Sequence, residues 1–438
     1  MRKMWCFCFA LMVCLGLFVG YGQAADGDLD DSFGVGGKVI TNCGTLCGGI
    51  GSVAIQADGK IVVVSSNALF RYNSNGSLDT SFGSSGKVTT GENFKKLALQ
   101  TDGKIVVAGT NSLIHISVAR YNSDGSLDTS FGTGGKVTTS IRSSDSANAL
   151  AVQTDGKIVV AGETNDSSSS SDIAVVRYNS NGSLDTSFGI GGKVTTSIRS
   201  SNYADALAVQ TDGKIVVTGI TFDSSSSSDI AMVRYNSNGG LDTSFGTGGK
   251  VTTSIRSFDF AEAIAIQSDG KIVVAGYTGD SLSSGGYAVV RYNGNGGLDT
   301  SFGTGGIVTT SIGGKYESAS DLAIQTDGKI VVAGKTGDSI SSGVIAVVRY
   351  NGNGGLDTSF GTGGKVTTSI VGSKYESASD LAIQTDGKIV VAGSTGDTLS
   401  SLNIAVVRYK NNSSILDSVV DSLDGDGGGG CFINSIHH

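Results

Sequence analysis

A ten-residue stretch, Gln-Thr-Asp-Gly-Lys-Ile-Val-Val-Ala-Gly, constrains the fold of this chain more than any other feature. It occurs whole, for example, at Gln153–Gly162 and at Gln384–Gly393, and its core Asp-Gly-Lys-Ile-Val-Val occurs seven times. Asp-Gly lets a chain adopt positive φ and reverse in a tight hairpin. Ile-Val-Val is β-branched and apolar, which suits a buried strand. The repeat therefore predicts strand, turn and buried strand, seven times over.

A second motif, Leu-Asp-Thr-Ser-Phe-Gly, marks the same period. Its copies begin 49 to 58 residues apart, at Leu78, Leu127, Leu184, Leu241, Leu298 and Leu356. One unit divides into four short strands, at Ala147–Gln153, Lys157–Ala161, Ile173–Tyr178 and Lys193–Ile198. Four short strands per unit, without helical periodicity, are typical of a propeller blade. We predict an all-β, seven-bladed β-propeller of four-stranded antiparallel blades over residues 29–412.

The two ends of the repeat region are complementary. A fourth strand of the Gly-Lys-Val-Thr-Thr type, Lys38–Thr41, precedes every other blade strand, and the last unit ends after Arg408 and Tyr409 without one. The simplest ring is closed by pairing Lys38–Thr41 with Ile404–Tyr409, which removes an exposed edge. An open solenoid would need distinct end caps, and the sequence shows none.

Residues 1–24 resemble a secretory signal peptide. Arg2 and Lys3 precede the apolar run Met4–Val19, and small residues lead to a predicted cleavage after Ala24. A membrane-spanning helix is the alternative, for which the run is short. We therefore expect a secreted or cell-surface protein, with the periplasm as a further option, and a flexible Gly-rich tail at residues 413–438.

Composition restricts the partners and cofactors. The formal net charge is −8 and no Lys/Arg-rich run is present, so we predict no nucleic-acid partner. Cys43 and Cys47 are close enough for a disulfide, which leaves Cys431 as an odd cysteine whose thiol is free, modified or bonded to another molecule. The oxygen-rich segment Asn122–Asp128 lacks the carboxylates and final Glu of a dedicated calcium loop, and we predict no metal or cofactor.

Together, Asp-Gly-Lys-Ile-Val-Val, Arg-Tyr-Asn and Leu-Asp-Thr-Ser-Phe-Gly resemble the delta-60 repeat family, from Leu29 to about Asn412. The resemblance implies a secreted or surface-associated bacterial β-propeller of no assigned activity, and it implies no functional residues. The family usually has Pro before Asp-Gly. This chain contains no Pro and has Thr, Ala or Ser there, which should loosen the hairpin slightly.

The repeated residues favour structure over catalysis. Asp155 and its equivalents are expected to form turns, and Arg177 and Asp185 recur in step, so we predict that they pair within or between blades. His115 is the only His before the terminal pair and is expected to be exposed at a loop end. A Ser–His–Asp set therefore cannot be assembled, and we predict that the protein is not an enzyme.

Residues that differ between units indicate where binding could occur. The loops after the second and fourth strands should emerge on one rim, which would carry Arg142, Arg199, Arg256, Lys315 and Lys374 beside Tyr203, Phe258, Phe260, Tyr316 and Tyr375. Exposed cations and aromatics suit an acidic or carbohydrate ligand. Alternatively, the aromatics pack between blades and the cations are solvated.

The leading hypothesis is a monomeric, non-catalytic binding or interaction scaffold. The alternatives are a lyase or hydrolase that uses the central channel, and a structural surface-layer component.

Overall fold

The computed structural model describes residues 25–44, 49–166, 170–223, 227–372, 374–398 and 401–411. These residues form strands and turns, with no α-helix among them. Consequently, no helix in the described ranges is long and apolar enough to cross a membrane. The predicted signal peptide, the whole predicted tail, Cys47 and Cys431 lie outside the described residues.

Antiparallel pairing groups the strands into seven units, which we call blades 1 to 7, and single parallel bridges between neighbouring blades join blades 4 to 7 into one continuous sheet. The first strand in the chain is β1 (Lys38–Thr41). Blade 1 contains β2 (Ile50–Ile55), β3 (Ile61–Ser65), β4 (Ala68–Tyr72) and β5 (Lys87–Thr89). Blade 2 contains β6 (Asn93–Leu99), β7 (Ile105–Thr110), β8 (Ile116–Tyr121) and β9 (Lys136–Thr139). Blade 3 contains β10 (Ser144–Asp145), β11 (Ala149–Val152), β12 (Ile158–Asn165), β13 (Asp172–Tyr178) and β14 (Lys193–Thr196).

The remaining blades follow the same order. Blade 4 contains β15 (Ser201–Val209), β16 (Ile215–Phe222), β17 (Ser228–Tyr235) and β18 (Lys250–Thr253). Blade 5 contains β19 (Phe258–Ile266), β20 (Ile272–Ser281), β21 (Ser284–Tyr292) and β22 (Ile307–Thr310). Blade 6 contains β23 (Tyr316–Ile324), β24 (Ile330–Ser339), β25 (Ser342–Tyr350) and β26 (Lys365–Thr368). Blade 7 contains β27 (Tyr375–Ile383), β28 (Ile389–Gly396), β29 (Asn403–Tyr409) and, from the other end of the chain, β1. The predicted all-β propeller of four-stranded antiparallel blades is confirmed.

The first strand of the chain pairs with the last. In the antiparallel pair of β1 and β29, Lys38 lies opposite Val407 and Thr41 lies opposite Ile404. Just before β1, the carboxylate of Asp30 accepts a hydrogen bond of 2.8 Å from Nε of Arg408. The same guanidinium donates to the Ser74 carbonyl in blade 1, at 2.5 Å. The N-terminal segment thus completes blade 7, and Arg408 connects that blade to blade 1.

The second strand of each blade is buried on both faces because it lies between two neighbouring blades. In β12, Ile158 and Val160 pack toward blade 2, whereas Val159 and Ala161 pack toward blade 4. All four side chains are fully buried. This arrangement explains the unbroken Ile-Val-Val runs, because a strand with only one covered face would alternate apolar and polar residues.

An arginine connects each blade to the next at the end that carries the Asp-Gly turns, which we call the turn face. In blade 3, Nε of Arg177 donates to Asp185 at 2.8 Å, and Nη1 donates to the Ser237 carbonyl of blade 4 at 2.6 Å. The guanidinium lies 4.5 Å from the ring centre of Phe188. The predicted pairing is confirmed, and equivalent pairs are made by Arg71, Arg120, Arg234, Arg291, Arg349 and Arg408.

Candidate functional site

A β-bulge interrupts the first strand of six blades at the same position. In β15 the register shifts between Ala204 and Ala206, which leaves Asp205 as the extra residue. Opposite the bulge stands Gly219, where a Cβ would lie 2.1 Å from the Tyr203 carbonyl oxygen, so only glycine permits this close approach. Bulges of this kind re-aim a side chain away from the regular face of a sheet.

The bulged residues all line one cavity of about 490 Å³. They are Gly51, Lys95, Asp205, Glu262, Ser320 and Ser379, and in blade 3 Asn148 takes the same place in the gap between β10 and β11. Because every blade contributes its first strand to this cavity, we call it the channel cavity. Its wall also includes Lys96, Asn93 and Tyr375.

Two carboxyl groups face the channel cavity from blades 4 and 5. Burial raises the pKa of Asp205 well above its usual range; the charges of Glu262 and Glu163 add to this, and Lys96 and Lys95 oppose it. Oδ2 of Asp205 is buried and has no hydrogen-bond partner among the described residues. Burial also raises the pKa of Glu262, against the charge of Lys96. The cavity therefore holds two carboxyls that form no ion pair with any described residue.

A second carboxyl pair joins the first strands of blades 6, 7 and 1. Asp321 accepts a hydrogen bond of 2.8 Å from the Leu381 backbone N–H, and Asp380 accepts one of 2.6 Å from the Val53 backbone N–H. Burial, followed by the charge of the hydrogen-bonded Asp380 carboxyl, raises the pKa of Asp321 well above its usual range. Each carboxyl group accepts a hydrogen bond from a backbone N–H of the first strand in the next blade, which indicates a structural role.

The predicted rim cations lie at the end opposite the turn face, which we call the loop face. Arg142 pairs with Asp172 at 2.8 Å, Arg199 with Asp229 at 2.5 Å, and Arg256 with Asp280 at 3.6 Å. Each pair joins the loop after a fourth strand to the end of the second strand or the start of the third strand in the next blade, so the two sets of loops do share one end. Lys315 and Lys374 are exposed there. The three arginines are therefore already matched by carboxylates.

The predicted aromatic residues divide into two groups on the loop face. Tyr203 packs edge-on against Phe222, with ring centres 5.9 Å apart, and Phe258 is half-buried. From blade 5 to blade 7 the rings and one cation form a continuous stack: Phe260, Tyr277, Tyr316, Lys335 and Tyr375. Only Tyr375 of the predicted rim residues also lines the channel cavity. The predicted rim residues thus lie on the loop face, and one of them, Tyr375, also reaches the cavity.

The smaller sites are placed as follows. Cys43 is disulfide-bonded, and because Cys47 lies outside the described residues, their pairing stays a prediction.

His115 was expected to be exposed, which is wrong: it is half-buried because its ring contacts Asp145, with Nδ1 at 3.3 Å from Oδ2. Among the described residues, no group of three or more His, Cys, Asp or Glu is arranged to hold a metal ion.

Sequence reasoning missed the channel residues. The signal was present, because the residue seven positions before the Asp of each Asp-Gly turn is Gly, Lys, Asn, Asp, Glu, Ser and Ser in the seven units. A strand position that varies in this way within nearly identical repeats is unusual. Without the bulge, however, nothing in the pattern tells whether that position faces a neighbouring blade or the channel.

Comparison with known proteins agrees with this architecture. The chain matches the model of a family described as "Domain of unknown function (DUF5122) beta-propeller" in seven segments that make up more than half of its length, residues 56–82, 100–131, 153–188, 210–245, 267–302, 325–360 and 384–415. The chain belongs to the DUF5122 beta-propeller family. No curated protein sequence matches this DUF5122 propeller.

Solved structures resemble the DUF5122 propeller in fold. Selenomethionine-substituted virginiamycin B lyase from Staphylococcus aureus aligns with a TM-score of 0.50 and 9% identity, over 84% of this chain and 98% of that chain. A catalytically inactive variant of the same lyase with quinupristin aligns with a TM-score of 0.50 and 10% identity, over 84% and 98% of the two chains. At such low identity the likeness shows the fold alone.

Proposed function

We propose that this DUF5122 propeller, of the delta-60 repeat type, is a secreted or cell-surface binding module that binds a small polar ligand in the channel cavity without catalysing a reaction. One observation carries the proposal: the six bulge residues and Asn148, their equivalent in blade 3, are of six different residue types within otherwise similar blades, and all seven line one cavity. The basic and apolar residues at 1–24 support export.

The cavity has the properties of a small-molecule site. Its volume falls in the range usual for ligand pockets, about 300–1,000 Å³. Its wall offers hydroxyl groups from Ser320 and Ser379, an amide from Asn93 and the aromatic ring of Tyr375. Convergent polar groups beside one aromatic face are the usual means of orienting a polar ligand.

A thermal-shift screen with sugars, amino acids and other small metabolites tests the proposal. We expect at least one ligand class to raise the melting temperature of the wild-type protein. The substitution Ser320→Trp should remove that shift by filling the cavity, whereas Thr101→Trp, at an exposed turn-face position, should retain it. A ligand that raises the melting temperature of the wild type, Ser320→Trp and Thr101→Trp equally would show that binding occurs outside the channel cavity.

A second candidate, a lyase or hydrolase acting in the channel, is favoured by one observation. Carboxyl groups with raised pKa in a cavity, such as Asp205 and Glu262, are a common feature of general acids. A panel of glycoside, lactone and polysaccharide substrates distinguishes the two functions. Turnover that is abolished by Asp205→Asn would establish the enzyme and exclude the non-catalytic module.

A further inference from the structure

Four charged side chains share the channel cavity without forming an ion pair with one another. Lys95 and Lys96 come from β6, and Asp205 and Glu262 come from β15 and β19. Elsewhere in the molecule, lysines within reach of a carboxylate do pair, as Lys136 does with Glu92 at 2.9 Å. Within the described ranges no such contact joins the two lysines to the two acids. The two lysines thus come from blade 2 and the two acids from blades 4 and 5, and we call these two parts of the cavity surface the basic wall and the acidic wall.

The acidic wall lacks a cationic partner. The buried Oδ2 of Asp205 accepts no hydrogen bond from any described residue. A buried carboxylate oxygen without a partner costs folding free energy, so a ligand that donates to it would recover that cost. The described residues also provide no hydrogen bond or ion pair to the Glu262 carboxylate. Burial raises the pKa of both groups, which agrees with a wall that is short of positive charge.

The basic wall lacks an anionic partner. Nζ of Lys95 donates to Oδ1 of Asn148 at 3.1 Å, which is a neutral acceptor, and the side chain is exposed. Nζ of Lys96 makes no hydrogen bond to the described part of the chain, although its charge acts on Asp205, Glu262 and Asp321. An incoming anion would therefore meet two ammonium groups that are not engaged by carboxylates.

We propose that the channel cavity binds a small zwitterion, a molecule with an ammonium group at one end and an anionic group at the other. The ammonium group would donate to Asp205 and Glu262, and the anionic group would accept from Lys95 and Lys96. This inference rests on the proposed function, because it names the ligand class of the same cavity. The separation of charge on the two walls selects against ligands that carry only one of the two groups.

Binding should also be linked to protons. The charged groups around Asp205 are Glu262, Glu163, Lys95 and Lys96. The free protein holds a proton on Asp205 at pH values where an isolated Asp would be ionised, and a bound ammonium group would displace that proton. Affinity should accordingly increase as the pH rises through the raised pKa of Asp205. Calorimetry in two buffers of different ionisation enthalpy would measure the released proton.

Isothermal titration calorimetry with a series of ω-amino acids tests the inference. The probes are β-alanine, 4-aminobutyrate and 6-aminohexanoate, with the N-acetyl derivative and the methyl ester of each as anion-only and cation-only controls. We expect at least one amino acid to bind about ten-fold more tightly than either of its controls, since loss of one charged contact costs about 1.4 kcal/mol or more. Asp205→Asn and Lys96→Gln should each weaken its binding by a similar factor, whereas Asp280→Asn, on the loop face, should not.

The outcomes separate this inference from the function on which it rests. The inference of a zwitterionic ligand would be wrong if a zwitterion and its single-charge controls bound equally tightly. It would also be wrong if Asp205→Asn and Lys96→Gln both bound the amino acid as tightly as the wild type. Absence of binding by all three amino acids would contradict it as well. If a neutral ligand then gives a thermal shift that Ser320→Trp removes, the binding module stands and only the ligand class is wrong.

Discussion

The turn face and the channel cavity use the same residue types in opposite ways. On the turn face one buried carboxylate of every blade is paired with an arginine, and the arrangement recurs in all seven blades. In the channel cavity the carboxyls of Asp205 and Glu262 are single occurrences without a paired cation. The comparison teaches that the repeated arginine–carboxylate pairs connect neighbouring blades, whereas the residues that break the repeat line the channel cavity.

The pKa shifts at the two regions have opposite signs. Asp299 on the turn face accepts from the Ser301 hydroxyl and lies beside Arg291, and these contacts lower its pKa to about 2 despite its burial. Asp205 and Glu262 have raised pKa values because burial is not offset by a close partner. Lowering the pH should therefore reduce the stability that the carboxylates of the turn face contribute, whereas raising the pH should destabilise the first strands around the channel cavity.

The largest expected effect concerns the segment that joins the two ends of the chain. Removal of residues 25–41 would delete β1, leave the edge of β29 unpaired and take Asp30 away from Arg408. We expect the stability loss to exceed about 4 kcal/mol, beyond the usual range for a single substitution. Chemical denaturation measures it, and a synthetic peptide of residues 25–41 should restore the transition. An unchanged transition would show that β1 does not hold blade 7.

The next largest effect concerns arginines on the turn face in comparison with those on the loop face. Arg291→Met would leave Asp299 buried without its main partner and would remove the hydrogen bond to the Gly352 carbonyl, so we expect a loss of about 3 kcal/mol. Its matched control, Arg256→Met, removes a pair on the loop face whose members are largely exposed, and should cost less than about 1 kcal/mol. Equal losses in urea denaturation would contradict the division between the two faces.

A smaller effect concerns pH. The pKa of Asp321 is higher in the folded protein than its unfolded value of 3.8. At any pH between the unfolded and the folded pKa, folding is therefore accompanied by proton uptake, and the stability of the protein falls as the pH rises through this range. Asp321→Asn removes this uptake while it keeps the hydrogen bonds to Asp380 and Leu381. Its melting temperature should exceed that of the wild type at pH 8, and the difference should shrink toward pH 4. For Asp299 the sign is reversed, because its contribution is present above pH 3.8 and lost toward pH 2.

Much of the fold could be predicted from the sequence because the same pattern of turns and strands occurs in all seven units. Asp-Gly turns, Ile-Val-Val strands and the recurrence of Arg177 with Asp185 follow local rules that hold in every unit. The spare strand Lys38–Thr41 could be matched to blade 7 by counting. These inferences needed no knowledge of how one blade sits against another.

The candidate site could be predicted only in part. That Arg142 and Tyr375 lie on one face followed from strand alternation, but the pairing of Arg142 with Asp172 depends on the approach of two loops from different sheets. Asp205 and Glu262 face the cavity only because a bulge re-aims them, and the bulge depends on the close approach of Gly219 to Tyr203 across two strands. Such contacts between separate strands leave no local pattern.

The most direct test measures stability and binding together in two variants, Arg291→Met and Glu262→Gln. Thermal denaturation with and without the tightest-binding ω-amino acid gives both quantities from one experiment. The account predicts that Arg291→Met melts at a lower temperature and keeps the ligand-induced shift, whereas Glu262→Gln melts at or above the wild-type temperature and loses the shift. A lost shift in Arg291→Met together with a retained shift in Glu262→Gln would contradict the division of roles between the turn face and the channel cavity.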